Sequence, residues 1–251
     1  AVSPRTAMVC DDAPVARISS LLEPAGRAEG RPERLAENSG IAFQGCIVLG
    51  KGFVLESEEA REWIEEDSRN TEVLFPYLNG RDVNSRPDFS ASRWVIDFND
   101  RNERQAQSYT LPYGRLLEVV KPDRQRVDSH GRRVLQKSLH ENWWQYCARR
   151  PKMRKAIQDL RKVVVIAQTS GTLIPALVDA GFVFDQKLVV VATDQLEFVS
   201  VLSSSVHRDW VIKYGSTMRT DPVYTPSDVF ETFPRPKPTA ELEAIGRTLD
   251  A

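Results

Sequence analysis

Two carboxylates and a lysine are the first residues that could do chemistry. Pro87-Asp88 and, far downstream, Asp185-Gln186-Lys187 match the P-D…[DE]-x-K pattern, in which two acids hold Mg²⁺ and a lysine positions the attacking water. Asp185 and Lys187, two apart on a strand, would equally form the polar face of a half-buried sheet. Other catalytic patterns are missing. Phe43-Gln-Gly45 with Gly50-Lys-Gly52 has neither the G-x-G-x-x-G spacing nor the G-K-[ST] ending of a nucleotide loop. His130, His140 and His207 lack H-x-x-x-H spacing, and Cys10, Cys46 and Cys147 form no C-x-x-C pair, which argues against a metal centre and a disulfide framework. Ser203-Ser-Ser205 has no flanking glycines and is no nucleophile elbow.

Charge offers a second kind of site. The chain of 251 residues carries 34 Lys+Arg against 35 Asp+Glu, so its net charge of -1 predicts no general attraction to polyanions. The distribution is uneven. Gly52 to Glu72 holds eight acids and two arginines, which reads as an acidic surface helix. Lys121 to Lys162 holds thirteen Lys or Arg and four acids. Within that block Trp143, Trp144 and Tyr146 stand beside Arg149, Arg150, Lys152, Arg154 and Lys155. A basic stripe with adjacent aromatics suits a phosphate backbone, although a solvated helical face has the same composition.

The elements that must position these residues are legible in outline. Residues 1 to 40 read as a lead-in helix and linker. Phe43 to Gly50 reads as strand and turn, Ser57 as the N-cap of the acidic helix, and Arg93 to Phe98 as a strand after turns at Pro76 and Asn79-Gly80. Pro112, Pro122 and Pro151 should each start or stop a helix. Val163–Ile166, Leu173–Val178, Phe182–Phe184 and Leu188–Val191 are short β-branched runs that predict a strand meander. Asp194 should cap a helix to about Ser203, and a second helix should end near Tyr214-Gly215. After Pro234, Pro236 and Pro238, Thr239 opens an amphipathic helix with Leu242, Ile245 and Leu249 on one side, as at the start of a longer spacer. No apolar run approaches the roughly 20 residues of a membrane helix. The expected setting is a reducing cytoplasm.

Several longer segments resemble the target recognition domain of single-chain, type IIL-like adenine-N6 DNA methyltransferases of bacterial restriction-modification systems. They are Ala42-Phe-Gln-Gly-Cys-Ile-Val-Leu-Gly-Lys-Gly-Phe-Val-Leu55, Leu74-Phe-Pro-Tyr-Leu-Asn-Gly-Arg-Asp-Val-Asn84, Arg93 to Phe98, Trp143-Trp144 with Arg149-Arg150-Pro151, Val183 to Val190, Leu202 to Ser205 with Trp210, and Tyr214 to Pro234. The last is the most specific. The resemblance implies a lead-in over 1–40, a DNA target recognition domain over 41–236 and the start of a spacer helix over 237–251. It implies an α+β fold, with a curved mixed or antiparallel sheet and helices packed on one side. It also explains Asp185-Gln-Lys187 as part of a framework strand. No Asn-Pro-Pro-Tyr or Asp-Pro-Pro-Tyr segment and no glycine loop for S-adenosylmethionine occur here, so that cofactor is expected in a catalytic domain elsewhere in a parent chain, and none in this one.

The expected function is therefore sequence-specific recognition of double-stranded DNA without catalysis by this chain. A PD-(D/E)xK-like nuclease and a protein-interaction domain remain as alternatives. Extruding a base for methylation requires a module that grips phosphates and reads base edges. Arg149, Arg150, Lys152, Arg154 and Lys155 are the candidate phosphate contacts. Arg219, Asp221, Val223, Ser170 and Thr172, in the loops 168–172 and 216–224, are the candidate base readers. In an extended segment, Arg219 and Asp221 would share one side about 6.6 to 6.8 Å apart and could span one G·C pair.

Overall fold

The computed structural model describes residues 8–10, 13–15, 30–219 and 221–250. The chain forms two units, Ala1–Glu33 and Arg34–Ala251. In the first, β1 (Met8–Cys10) pairs antiparallel with β2 (Ala13–Val15). The helix expected within residues 1 to 40 does not occur where those residues are described: they form this ribbon and a 3-10 turn at Ala36–Asn38. The remainder of that expectation lies outside the described residues.

The second unit contains two four-stranded sheets. Its strands are β3 (Ala42–Gln44), β4 (Val54–Glu56), β5 (Leu74–Leu78), β6 (Arg93–Ile96), β7 (Lys162–Ala167), β8 (Pro175–Asp179), β9 (Val183–Phe184) and β10 (Leu188–Val191), followed by the hairpin of β11 (Ser216–Met218) and β12 (Asp221–Val223). One sheet runs β3-β10-β7-β8, antiparallel throughout. The other runs β4-β6-β5-β9, antiparallel except for the parallel pair β5–β9. The fold is α+β with mixed and antiparallel sheets, as the sequence implies. The β-branched runs are strands, but Val183-Phe184 leaves the meander to join the other sheet.

The apolar runs lack polar alternation because the first sheet is covered on both faces. Val163, Val165, Leu188 and Val190 point into the large core shared with the second sheet. Val164, Ile166, Val189 and Val191 point into a smaller one that contains Phe198 and Leu202 of the helix Leu196–Leu202, Val211 of the helix Ser205–Tyr214, and Phe230. The two sheets meet at the turn between β9 and β10. Asp185 bridges to Cys46, its amide donates to the Leu78 carbonyl at 2.9 Å, and Cys46 N donates to the Phe184 carbonyl at 2.7 Å. Gly45 is required there, because a Cβ would overlap the Asp185 carbonyl oxygen.

Helix ends follow the sequence only in part. The acidic helix Ser57–Glu66 is present, but Ser57 is its first residue and its hydroxyl donates to the Ser92 carbonyl at 3.4 Å instead of capping. Asp194 does not cap the helix Leu196–Leu202; Thr193 accepts from Gln195 N instead. Thr239 does cap Ala240–Leu249, accepting from Leu242 N at 3.2 Å. Pro151 occupies the first turn of the helix Pro151–Ile157. Among the described residues no helix is long and apolar enough to cross a membrane.

Candidate nucleic-acid interface

The loop 168–172 and the hairpin β11–β12, far apart in sequence, are brought side by side. Thr169 bridges antiparallel to Val223, and Tyr224 N donates to the Gln168 carbonyl at 2.7 Å. Tyr224, fully buried, fixes the foot of the hairpin. Its hydroxyl lies 3.1 Å from His207 Nε2, while His207 Nδ1 lies 2.8 Å from the Leu202 carbonyl. A carbonyl can only accept, so Nδ1 carries the proton and Nε2 accepts from the tyrosine. Burial pushes the Tyr224 pKa up and pulls that of His207 down to about 4, with the Leu202 bond opposing the latter shift.

The candidate base readers separate into exposed and structural residues. Met218 pairs with Asp221, which leaves Arg219 in the two-residue connection with a left-handed φ of 60°. The extended geometry expected for Arg219 and Asp221 is thus overturned: one is at the tip, the other in a strand, and no ion pair joins them. Both are exposed. Asp221 lies beside Gly171, where a Cβ would come 3.7 Å from Asp221 Oδ1. Thr172 is exposed and Val223 half-buried. Ser170 is a turn residue, 6% exposed, whose hydroxyl accepts from the amides of Thr172 and Leu173 at 3.3 Å and meets Thr172 Oγ1 at 3.0 Å. It shapes the loop and does not present itself.

Beside these loops lies a polar groove of about 900 Å³ that the sequence reading missed. Arg81, Arg93 and Lys187 line it together with Asn84, Thr169 and the half-exposed Met218. Arg93 pairs loosely with Glu56 at 3.7 Å, whereas Arg81 and Lys187 make no ion pair. Two of the groove's three acids, Asp82 and Asp185, are engaged in the fold, while the third, Glu56, is exposed beside Arg93. Asp82, 3% exposed, accepts from Asn79 Nδ2 at 2.7 Å and Ser92 N at 3.2 Å. Asp185 accepts from Lys187 N at 2.8 Å and from the Tyr77 hydroxyl, whose pKa burial and this carboxylate both raise. The available signal was Asn79-Gly-Arg-Asp82, in which Asn79 caps the helix Gly80–Ser85 and so turns Arg81 outward.

Those bonds also correct the acid–lysine reading. Residues 185–187 form a turn rather than a strand, and both Asp185 oxygens are occupied. Asp88 is exposed and accepts from its own neighbour Ser90. Among the described residues no three His, Cys, Asp or Glu side chains gather to hold a metal.

The basic block is corrected more deeply. Trp143, Trp144 and Tyr146 are core residues, their polar atoms bonded to Glu103, the Arg101 carbonyl and the Ile96 carbonyl. Three of the five candidate phosphate contacts turn inward with them. Arg149 donates to the Asn99 carbonyl at 2.8 Å, and Arg150 to the Gly45 carbonyl and Gln44 Oε1. Arg154 donates to Asp97 at 2.6 Å and to the Arg149 carbonyl at 2.8 Å. Burial opposes the charge of Arg154, but Asp97, together with Cys46 and Tyr146, more than offsets this, and the pKa of Arg154 rises above the arginine norm. Only Lys152 and Lys155 of the five are exposed. Arg124, 2% exposed, is a further inward arginine. It donates to the carbonyls of Val48, Leu49, Trp143 and Gln145, and burial lowers its pKa to about 10.

With this geometry in hand, known proteins can be compared. The family described as MmeI, target recognition domain, matches residues 30–237. No curated protein matches the chain. A solved structure described as the Type IIL restriction-modification enzyme MmeI in complex with DNA superposes with a TM-score of 0.69 at 16% identity. That match covers 93% of this chain and 30% of the other, so the likeness is one of fold, to under a third of that enzyme's length.

Proposed function

We propose, from the premise that this chain belongs to the MmeI target recognition domain family, that it reads a short base-pair sequence in double-stranded DNA on behalf of a longer restriction-modification enzyme. One observation carries this reading: the loop 168–172 and the hairpin β11–β12 converge beside a groove whose cations Arg81 and Lys187 are free, while its acids Asp82 and Asp185 are bonded into the fold and its third acid, Glu56, is met by Arg93. Arg219, Asp221 and Thr172 reach base edges, and Met218 offers an apolar contact of the kind that suits a thymine methyl. Arg81 and Lys187 hold phosphates. Lys152 and Lys155 are the members of the basic block still able to do so.

The parent enzyme is proposed to be a bacterial, cytoplasmic adenine-N6 methyltransferase whose catalytic domain binds S-adenosylmethionine, with this chain contributing no catalysis. The test is selection of bound duplexes from a randomised pool by the 251-residue chain. One enriched motif is expected, with Asp221→Asn or Arg219→Gln changing a single position by a discrimination of about 1–3 kcal/mol. Recovery of no motif, or loss of affinity spread evenly over all sequences in both variants, would refute the reading.

A further inference from the structure

Besides Lys152 and Lys155, the basic block has an exposed cluster of arginines nearer its start. Residues 125–134 form a small ribbon in which Val127 bridges antiparallel to Arg133 and Val134 N donates to the Arg126 carbonyl at 3.1 Å. At its tip Asp128 N donates to the Arg132 carbonyl, and Gly131 takes a φ of 73°. The ribbon's acid is committed to the turn, since Asp128 Oδ1 accepts from the amides of His130 and Arg132, both at 2.8 Å. Arg126, Arg132 and Arg133 are exposed, and their side chains make no ion pair, hydrogen bond or ring contact. Partners across a ribbon share a face and neighbours along it alternate. Arg133 therefore lies on one face with Val127, and Arg126 and Arg132 on the other with Val134. Both valines are more than half exposed.

The root of the ribbon is rigid. Arg124 precedes it, and its guanidinium ties the carbonyls of Val48 and Leu49 to those of Trp143 and Gln145, which lie beyond the returning chain. An exposed ribbon with three unpaired guanidiniums on two faces and a tied base is suited to a polyanion. A two-stranded ribbon is also narrow enough for a DNA groove, where guanidiniums can bond to the phosphates of its walls.

We propose that the ribbon 125–134 is a second, sequence-independent contact to the phosphate backbone of duplex DNA, outside the base pairs read by the hairpin. This rests on the DNA-binding reading above. It assigns grip to Arg126, Arg132 and Arg133, in place of the inward Arg149, Arg150 and Arg154.

The test compares the 251-residue chain with its Arg126→Gln/Arg132→Gln/Arg133→Gln variant on a selected duplex and on an unrelated one, over 50 to 200 mM salt. The variant is expected to bind both duplexes more weakly, to keep the same sequence preference, and to lose up to about 2.7 from the slope of log K against log salt. Its binding would then fall about 40-fold less than the parent's over that salt range. Thermal melting should be unchanged, and phosphate-ethylation interference on the unmodified chain gives a second readout, with interfering phosphates expected outside the selected motif. An unchanged slope and affinity in the variant, or interference confined to the motif, would overturn the ribbon's role and leave the DNA reading intact. Failure of the unmodified chain to bind any duplex would overturn both.

Discussion

Acidification should loosen the foot of the β11–β12 hairpin by an amount set by His207. The ring is 1% exposed, between the Leu202 carbonyl, the Tyr224 hydroxyl and the Phe233 ring, and its pKa is lowered from 6.5 to about 4. A depressed value means that the fold prefers the neutral ring. Above pH 6.5 neither the folded nor the unfolded chain protonates it, so the stability is complete. Between pH 6.5 and 4 the unfolded chain takes up the proton and the folded one resists, and stability falls as pH falls. At 1.36 kcal/mol per unit, the loss is about 2 kcal/mol at pH 5 and about 3 kcal/mol below pH 4. Carboxylates titrate in the same range, so the assay is a comparison: urea unfolding of the chain and of His207→Gln at pH 7.5 and pH 5. The glutamine variant should be less stable at pH 7.5 and lose about 2 kcal/mol less than the parent on acidification. Parallel losses in the two proteins would refute the account of a neutral buried ring.

Further perturbations separate inward charges from outward ones. Arg154→Met strands the carboxylate of Asp97, which is 2% exposed, and should destabilise by about 3–5 kcal/mol in urea, with part recovered in Arg154→Met/Asp97→Asn. Arg124→Lys replaces a planar fork that serves four carbonyls with a compact ammonium, and each carbonyl left unbonded should cost about 1–3 kcal/mol, read by chemical unfolding. Lys152→Gln/Lys155→Gln, by contrast, should shift stability by no more than about 0.5 kcal/mol by the same measurement. Gly45→Ala should lower the melting temperature markedly, because backbone at Asp185 occupies the space its Cβ needs.

The same arginines show where sequence reasoning stops. The strings Val163–Ile166 and Leu188–Val191 declare themselves as strands because no other element suits short β-branched runs buried on both faces. Nothing in Arg149-Arg150-Pro151 tells a solvated guanidinium from one that spans the interior to reach the carbonyls of Asn99 and Gly45, since those acceptors lie at least fifty residues away. Trp143 and Trp144 beside them have the composition of a stacking platform and the burial of a core. The parallel pairing of Tyr77 with Val183 is hidden for the same reason: it is a long-range contact with no local signature. The hairpin tip escaped because a left-handed residue is usually announced by Gly or Asn, and here it is Arg219. The groove cations were in plain view, but Asn79-Gly80 read simply as a turn.

The placement of that tip bears on how such a domain changes over time. The sheet that supports it is constrained on both faces, as a residue such as Val164 or Val165 has no exposed surface. Met218, Arg219 and Asp221 are exposed beyond the last buried anchor, Tyr224. Exchanging them should alter folding free energy by only about 0.5 kcal/mol either way. Substitution at these exposed positions is therefore decoupled from the packing of the framework, and a new side chain at the tip does not carry a risk of misfolding with it.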